Sequence, residues 1–206
     1  MIELHVIIDI DQTLIDSMTK DIYDENRDKI RKPDFTNNNQ YVWVRPKVKE
    51  FFNYLDKNVK YISIWTNGSK GWLDYVVNNI LSKYIPVKRF YILSCINNST
   101  PMIINKNLVY VKEIGKLLKK YPNKNISLKN TVLVDDNYYN CSYNKYNSIP
   151  IKKFLILEDN KKINEQLDYT VEIIKLLKDS QDISFTLKNV YDGINDYDKL
   201  FSNTPP

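Results

Sequence analysis

The stretch Leu4-His5-Val6-Ile7-Ile8-Asp9-Ile10-Asp11-Gln12-Thr13-Leu14-Ile15-Asp16-Ser17 decides the fold. Leu4 to Ile10 is a short, mostly β-branched run that ends at a polar turn, the pattern of a strand buried on both faces in a parallel sheet. Asp9 and Asp11 are two apart. Alternation at a strand end aims both toward one site while Ile10 points into the core. Two carboxylates held that close do not both stay ionised comfortably without a cation, so the pair points to Mg²⁺ or to a division of labour between acid and nucleophile. Taken alone, the same pair reads equally well as two solvated acids that close a strand.

Working outward, apolar segments alternate between strand-like and helix-like, the mark of an α/β fold with a largely parallel sheet. Residues 18–40 are polar, charged and rich in Asn, and they read as a flap or loop insertion. Extended structure resumes at Tyr41 to Val44, and Pro46 opens a helix over 46–57 with Val48, Phe51, Phe52 and Leu55 at helical spacing. Tyr61 to Trp65 is the second parallel strand. A helix carrying Trp72, Tyr75, Val76, Val77, Ile80 and Leu81 follows the polar turn at Thr66 to Lys70. Residues 87–110 read as short strands joined by loops, and a helix from Val111 to Tyr121 carries Ile114, Leu117 and Leu118. Thr131 to Val134 and Ile151 to Leu157 are the fourth and fifth strands. The last helix spans 161–178 with the stripe Ile163, Leu167, Val171, Ile174 and Leu177; beyond it the periodicity fades, and the SNTPP tail reads as frayed. The domain is expected over 1–180, with a flap at about 18–44, a small insertion at about 87–110 and a divergent extension at 181–206.

In such folds the reactive groups lie where each strand turns polar at its carboxyl end. Three strand ends qualify: Asp9 and Asp11 after the first, Thr66 and Asn67 after the second, and Asp135 and Asp136 after the fourth. Lys112 stands at the start of a helix. Composition narrows the chemistry further. The 206 residues include a single histidine, His5, and two cysteines, Cys95 and Cys141, which argues against a zinc site, a disulfide framework or a histidine-based triad. Any catalysis here runs on carboxylates, lysines and a hard metal. No apolar run approaches the ~20 residues of a bilayer helix, and the amino terminus lacks a charged leader; the expectation is a soluble protein kept inside a cell, in cytoplasm or nucleus. The net charge is +5, with 26 Lys, 25 Asn, 25 Ile, 16 Tyr and no Ala, which points to an AT-rich genome, such as that of a parasite or a large DNA virus, ahead of a nucleic-acid face.

The run Asp9-Ile10-Asp11-Gln12-Thr13-Leu14 resembles the first motif of the haloacid dehalogenase superfamily, DxDx[TV]. More narrowly, the chain is similar to the FCP/SCP-like phosphatases that act on the carboxy-terminal domain of RNA polymerase II. The similarity extends through Ser17, the VRPxVxEFxxYL segment from Val44 to Leu55, the WT strand end at Trp65-Thr66, YVKEIGKLL from Tyr110, VLVDD from Val132 and NSIPI from Asn147. Those matches keep order and spacing from residue 4 to about 157. The resemblance implies a Rossmann-like core without a large cap domain, and a Mg²⁺-dependent phosphomonoesterase working through a phosphoaspartate. Asp9 would be the nucleophile and Asp11 the acid and base. Thr66 and Asn67 would bind phosphate, and Lys112 would neutralise it. Asp9, the Asp11 carbonyl and Asp136 would hold the metal, with Asp135 orienting ligands and lysine. The implied substrate is a phosphoserine or phosphothreonine protein, foremost the RNA polymerase II tail. The alternatives are a phosphatase of nucleic-acid 3′ ends and a non-catalytic phosphoprotein-binding module.

Departures from that family pattern are Gln12 in place of Glu, Asn67-Gly68-Ser69 after Thr66, and the absence of the acidic stretch after the fifth strand. Arg45 reads as an anchor of the helix start ahead of a contact to substrate phosphate. Phe90, Tyr91, Pro101 and Met102 read equally as peptide pocket or core. The lysine doublets at 119–120, 152–153 and 161–162 read as solvated faces ahead of a guide for an acidic partner, and Tyr138, Tyr139, Tyr143 and Tyr146 as loop packing ahead of base stacking.

Overall fold

The computed structural model describes residues 2–37, 40–123, 125–158 and 165–192. Its centre is a five-stranded sheet, wholly parallel, in the order β10-β9-β1-β5-β6. The strands are β1 (His5–Ile8), β5 (Tyr61–Trp65), β6 (Phe90–Ser94), β9 (Thr131–Asp135) and β10 (Ser148–Pro150). β1 lies between β5 and β9, with Ile7 opposite Ser63 on one side and Leu133 on the other. Every residue of β1 and β9 is buried, which is why Val6 to Ile8 and Val132 to Val134 read as unbroken apolar runs. His5 belongs to this core. Its ring bonds the hydroxyls of Ser63 (2.8 Å) and Thr131 (3.2 Å), and burial pushes it down to about 3, so it is a neutral structural group. Cys95 and Cys141 are free thiols buried in the packing.

Helices α2 (Val48–Asn58), α3 (Lys70–Tyr75), α4 (Ile114–Lys120), α5 (Tyr138–Tyr143), α6 (Gln166–Lys178) and α7 (Ile183–Asp192) accompany the sheet. α2 buries Val48, Phe51, Phe52 and Leu55, the apolar positions its spacing marks. It begins at Val48 and not at Pro46, after Lys47 in a left-handed turn (φ 67°). α3 runs on as a π-helical segment, Val76–Ile80, that buries Val76, Val77 and Ile80. α7 lies beyond the point where the periodicity fades, yet its Ile183, Leu187 and Tyr191 join the main core. Ile163, the lysines 161–162 and the SNTPP tail lie outside the described residues.

The 18–40 insertion is more ordered than its composition suggests. It holds helix α1 (Lys20–Asn26) and strand β3 (Phe35–Asn37), and an antiparallel sheet in the order β2-β4-β3 joins β2 (Ile15–Thr19) and β4 (Gln40–Val44) to it. Met18, Trp43 and Phe154 form a small separate core beneath that sheet. Phe154 belongs to the run 151–157, which the sequence assigns to the fifth strand. The strand is instead the preceding Ser148–Pro150. The later residues cross to the flap, where the Phe154 N–H donates to the Gln12 carbonyl (2.7 Å) and the Ile156 N–H to Asp16 Oδ2 (2.8 Å). The 87–110 segment likewise divides: β6 is the edge of the central sheet, and β7 (Thr100–Ile104) with β8 (Asn107–Val111) forms a hairpin.

Candidate active site

The carboxyl ends of three adjacent strands, β9, β1 and β5, converge on a cavity of about 360 Å³. Its walls include Asp9, Asp11, Gln12, Asn67, Gly68, Lys112, Asp135 and Asp136. A crevice where the chain runs to both sides of a central strand is where open α/β sheets bind ligands. Parallel pairing sets the height of each group: the Asp9 N–H donates to the Val134 carbonyl (3.0 Å), so Asp9 stands level with the acidic pair that ends β9.

Lys112 arrives at the end of β8 and is buried with its ammonium on Asp9 Oδ1 and on Asp135 Oδ2 (2.8 Å). Its backbone N–H is held by Asn140 Oδ1 (3.0 Å), and the Asn140 amide donates to Asp135 Oδ2 (3.0 Å). Asn137 caps α5 and sends its own N–H to Asp135 Oδ1 (2.8 Å). Both oxygens of Asp135 are thus engaged by protein donors, and this carboxylate works as a frame for the lysine. Asp136 is held on one side, accepting from the Thr13 hydroxyl (2.9 Å), while Thr13 Oγ1 accepts the Asp136 N–H (3.2 Å).

Charge in this cavity is lopsided. Burial would lower the pKa of Lys112, but Asp135 and Asp9 outweigh it and raise it, so the ammonium keeps its proton. Asp9 is raised well above the usual carboxylate range, first by burial and then by Asp135, Asp136 and Asp11, with Lys112 pulling the other way. Asp136 is pushed up to about 6 by burial and by Asp135. One buried lysine, with Lys153 acting on Asp136 from the cavity wall, serves a group of buried carboxylates, and oxygens of Asp9, Asp135 and Asp136 lie within 4.8 Å of one another. An all-oxygen donor set with excess negative charge fits a hard divalent cation such as Mg²⁺.

Asp11 sits apart from that cluster. One oxygen accepts from the Thr66 hydroxyl and the other from the Trp72 indole N–H, both at 2.7 Å. The Thr66 oxygen in turn accepts the Gly68 N–H (2.8 Å). The structure thus gives the Thr66 hydroxyl to Asp11; Thr66 is fully buried behind the cavity wall. Asn67 lines the cavity, but its amide spans to the hairpin, donating to the Tyr110 carbonyl (2.8 Å) and accepting from Ser99 Oγ (2.6 Å). The departure at Asn67-Gly68-Ser69 acquires a reason. A Cβ on Gly68 would stand 2.6 Å from Trp72 Cδ1 and 3.1 Å from Thr66 Oγ1, so only glycine lets the indole reach Asp11. Ser69 caps α3 by accepting the Trp72 N–H (3.2 Å).

Sequence reasoning brings Asp9, Asp11, Asn67, Lys112, Asp135 and Asp136 to one cavity. It misses Trp72, Asn137, Asn140 and Lys153. Asn137 carries a signal, a capping residue immediately after the acidic pair. Trp72 carries none, because helical spacing assigns it to the core. Arg45 is a structural tie: buried, with its guanidinium on the carbonyls of Gln12 (2.8 Å) and Lys152 (2.6 Å). Phe90 packs edge-on against Phe52 in the core, and the exposed Tyr91 packs against Tyr61.

Residues 4–184 match the family model described as NLI interacting factor-like phosphatase. The CTD phosphatase-like protein 355R of Invertebrate iridescent virus 3 is 30% identical over 177 residues, spanning 79% of this chain and 90% of its own. Its namesake in Invertebrate iridescent virus 6 is 24% identical over 172 residues, spanning 79% of this chain and 92% of its own. Among solved structures, that of Fcp1, an essential RNA polymerase II CTD phosphatase, is similar in fold, with a TM-score of 0.50 at 16% identity over 98% of this chain and 67% of that one.

Proposed function

The chain belongs to the NLI interacting factor-like phosphatases, and from that premise we propose that it hydrolyses phosphoserine or phosphothreonine in a protein substrate through a phosphoaspartate on Asp9. The observation that supports this most is the placing of Asp9 and Asp11, nucleophile and proton carrier, in one cavity with a single buried ammonium between Asp9 and Asp135.

Asp9 attacks phosphorus, forming the Asp9 O–P bond as the P–O bond to the serine or threonine oxygen breaks. Asp11 delivers a proton to that departing oxygen. In the second half Asp11 takes a proton from water, the water oxygen bonds phosphorus, and the Asp9 O–P bond breaks to release inorganic phosphate and restore the carboxylate. Lys112 neutralises the charge that the phosphoryl group brings toward Asp9. Thr66 and Trp72 hold the Asp11 carboxylate between them while the proton moves. Asp9, Asp136 and the Asp11 carbonyl would hold Mg²⁺, whose chemistry there is neutralisation of the phosphoryl oxygens.

The sequence around the cavity favours a large substrate. Among the described residues no cap domain follows β1 or β6: the insertions are the small flap sheet and the β7–β8 hairpin. The RNA polymerase II tail is the leading candidate, and the viral relatives support action inside a host cell. No helix among the described residues is long and apolar enough to cross a membrane.

Hydrolysis of para-nitrophenyl phosphate with and without Mg²⁺, for the native chain and Asp9→Asn, tests this reading. Metal-dependent turnover abolished in the variant is the expected result. A folded, metal-supplied native chain without turnover would refute it and leave a phosphoprotein-binding module.

A further inference from the structure

Lys153 is a wall of the cavity that the chemistry above does not use. It lies just past β10, in the segment tied back to the catalytic loop. Its neighbour Phe154 donates an N–H to the Gln12 carbonyl (2.7 Å), and the buried Arg45 bridges the carbonyls of Gln12 and Lys152. Gln12 itself is fixed in the left-handed region (φ 63°) and also lines the cavity. Gln12 and Lys153 are thus brought to the same rim by backbone bonds and an arginine, a rigid mounting for a recognition site.

The two lysines of the cavity differ in their partners. Lys112 is buried and paired with Asp9 and Asp135, which leaves one of its three donors for the phosphoryl group at Asp9. Lys153 is half-buried and has no hydrogen bond or ion pair among the described residues. Its charge bears on Asp136, yet among the described residues no carboxylate lies within bonding reach of it, and Gln12, which lines the same cavity, is neutral. An ammonium on the cavity wall that makes no hydrogen bond has donors to give to an arriving anion. The phosphoryl group presented to Asp9 has its own cation in Lys112, so Lys153 is available to a different one.

Resting on the phosphatase reading of Asp9, we propose that Gln12 and Lys153 form a second anion subsite, which takes a second phosphate of a doubly phosphorylated peptide while the first phosphate faces Asp9. The lining favours a local second charge over a polynucleotide. It contains four carboxylates against two lysines and no aromatic side chain, whereas single-stranded nucleic acid calls for a run of cations and stacking platforms.

The test is binding of labelled peptides to the Asp9→Asn protein by fluorescence anisotropy, with parallel turnover by the native chain. The peptides carry one phosphoserine, or a second phosphoserine at each of the nearest positions on either side, or glutamate in place of the second phosphate. A doubly phosphorylated peptide should bind about tenfold tighter than the singly phosphorylated one, as for one added charge-assisted contact. Lys153→Met should bring that ratio close to one. Gln12→Glu, which sets a carboxylate beside an intact lysine, should lower it as well and guards against misfolding of the first variant. A ratio near one for Asp9→Asn alone, a ratio that survives Lys153→Met, or a glutamate peptide equal to the doubly phosphorylated one would overturn the proposal. So would a larger effect of Lys153→Met on a 3′-phosphorylated oligonucleotide. Failure of the native chain to turn over any substrate would instead refute the phosphatase reading, since the binding ratio is measured without turnover.

Discussion

Replacing Trp72 by phenylalanine removes one hydrogen bond from Asp11 and keeps an aromatic ring to stack on Tyr75 at 5.8 Å. The lost bond is a 2.7 Å N–H···O contact to a carboxylate, and Asp11 retains the Thr66 hydroxyl on its other oxygen. Hydrogen bonds to charged groups contribute about 1.5–3 kcal/mol, and half-burial of the indole places this one near the lower end. If that energy holds Asp11 where it meets the departing oxygen, its loss lowers the rate about tenfold. The effect should depend on the leaving group. Para-nitrophenolate departs without help from an acid, whereas phenolate and a serine alkoxide need a proton. The ratio kcat/KM covers only the steps through departure of the alcohol and not the water step common to all substrates. Trp72→Phe should therefore lower kcat/KM on phenyl phosphate or a phosphoserine peptide by about tenfold and on para-nitrophenyl phosphate by less than about threefold. Steady-state kinetics on the three substrates measures this. Equal losses of kcat/KM on all of them, or none on the poor leaving groups, would refute the positioning role and make Trp72 a packing residue.

Three further predictions use the same geometry. In Gly68→Ala the new Cβ would stand 2.6 Å from Trp72 Cδ1 and force the indole aside, so the variant should reproduce the leaving-group pattern of Trp72→Phe, with the same substrate comparison as the check. Mg²⁺ should stabilise the fold more at pH 7.5 than at pH 5. Asp136, raised to about 6 from an unfolded value near 3.8, takes stability away as pH rises through that window, and a bound cation returns it. At about a hundred times its dissociation constant the ion should add about 2.7 kcal/mol, or roughly 5–10 °C in a melting scan for a chain of this size, and an equal shift at both pH values would contradict the assignment. Lys112→Met leaves buried Asp9 and Asp135 without their cation; chemical denaturation should show a loss of about 3–5 kcal/mol at neutral pH that shrinks on acidification, together with loss of turnover.

Residues near the parallel strands were the most legible in the sequence. β1, β5 and β9 are buried throughout or nearly so, and each turns polar at the carboxyl end where the cavity forms, so the burial pattern and the site share one signal. The flap was not legible because α1 buries no residue, and nothing in its spacing distinguishes it from a solvated loop. The run 151–157 misleads for the opposite reason. It is apolar because Phe154 packs under the flap with Met18 and Trp43, an antiparallel environment that a strand pattern imitates. Trp72 and Lys153 show the limit of periodicity: one lies on a helix where any tryptophan reads as core, the other in a doublet that reads as surface. Their roles depend on contacts between residues far apart in the chain, Trp72 with Asp11 and Phe154 with Gln12.

The most direct test of Asp9 as nucleophile is to quench a turning-over sample with borohydride, which reduces an acyl phosphate to an alcohol, and to map the modified residue by tandem mass spectrometry. Homoserine at residue 9, formed only when substrate and Mg²⁺ are both present and absent from Asp9→Asn, is the predicted result. Phosphate release by the native chain with an unmodified Asp9, or with the reduced residue elsewhere, would contradict it.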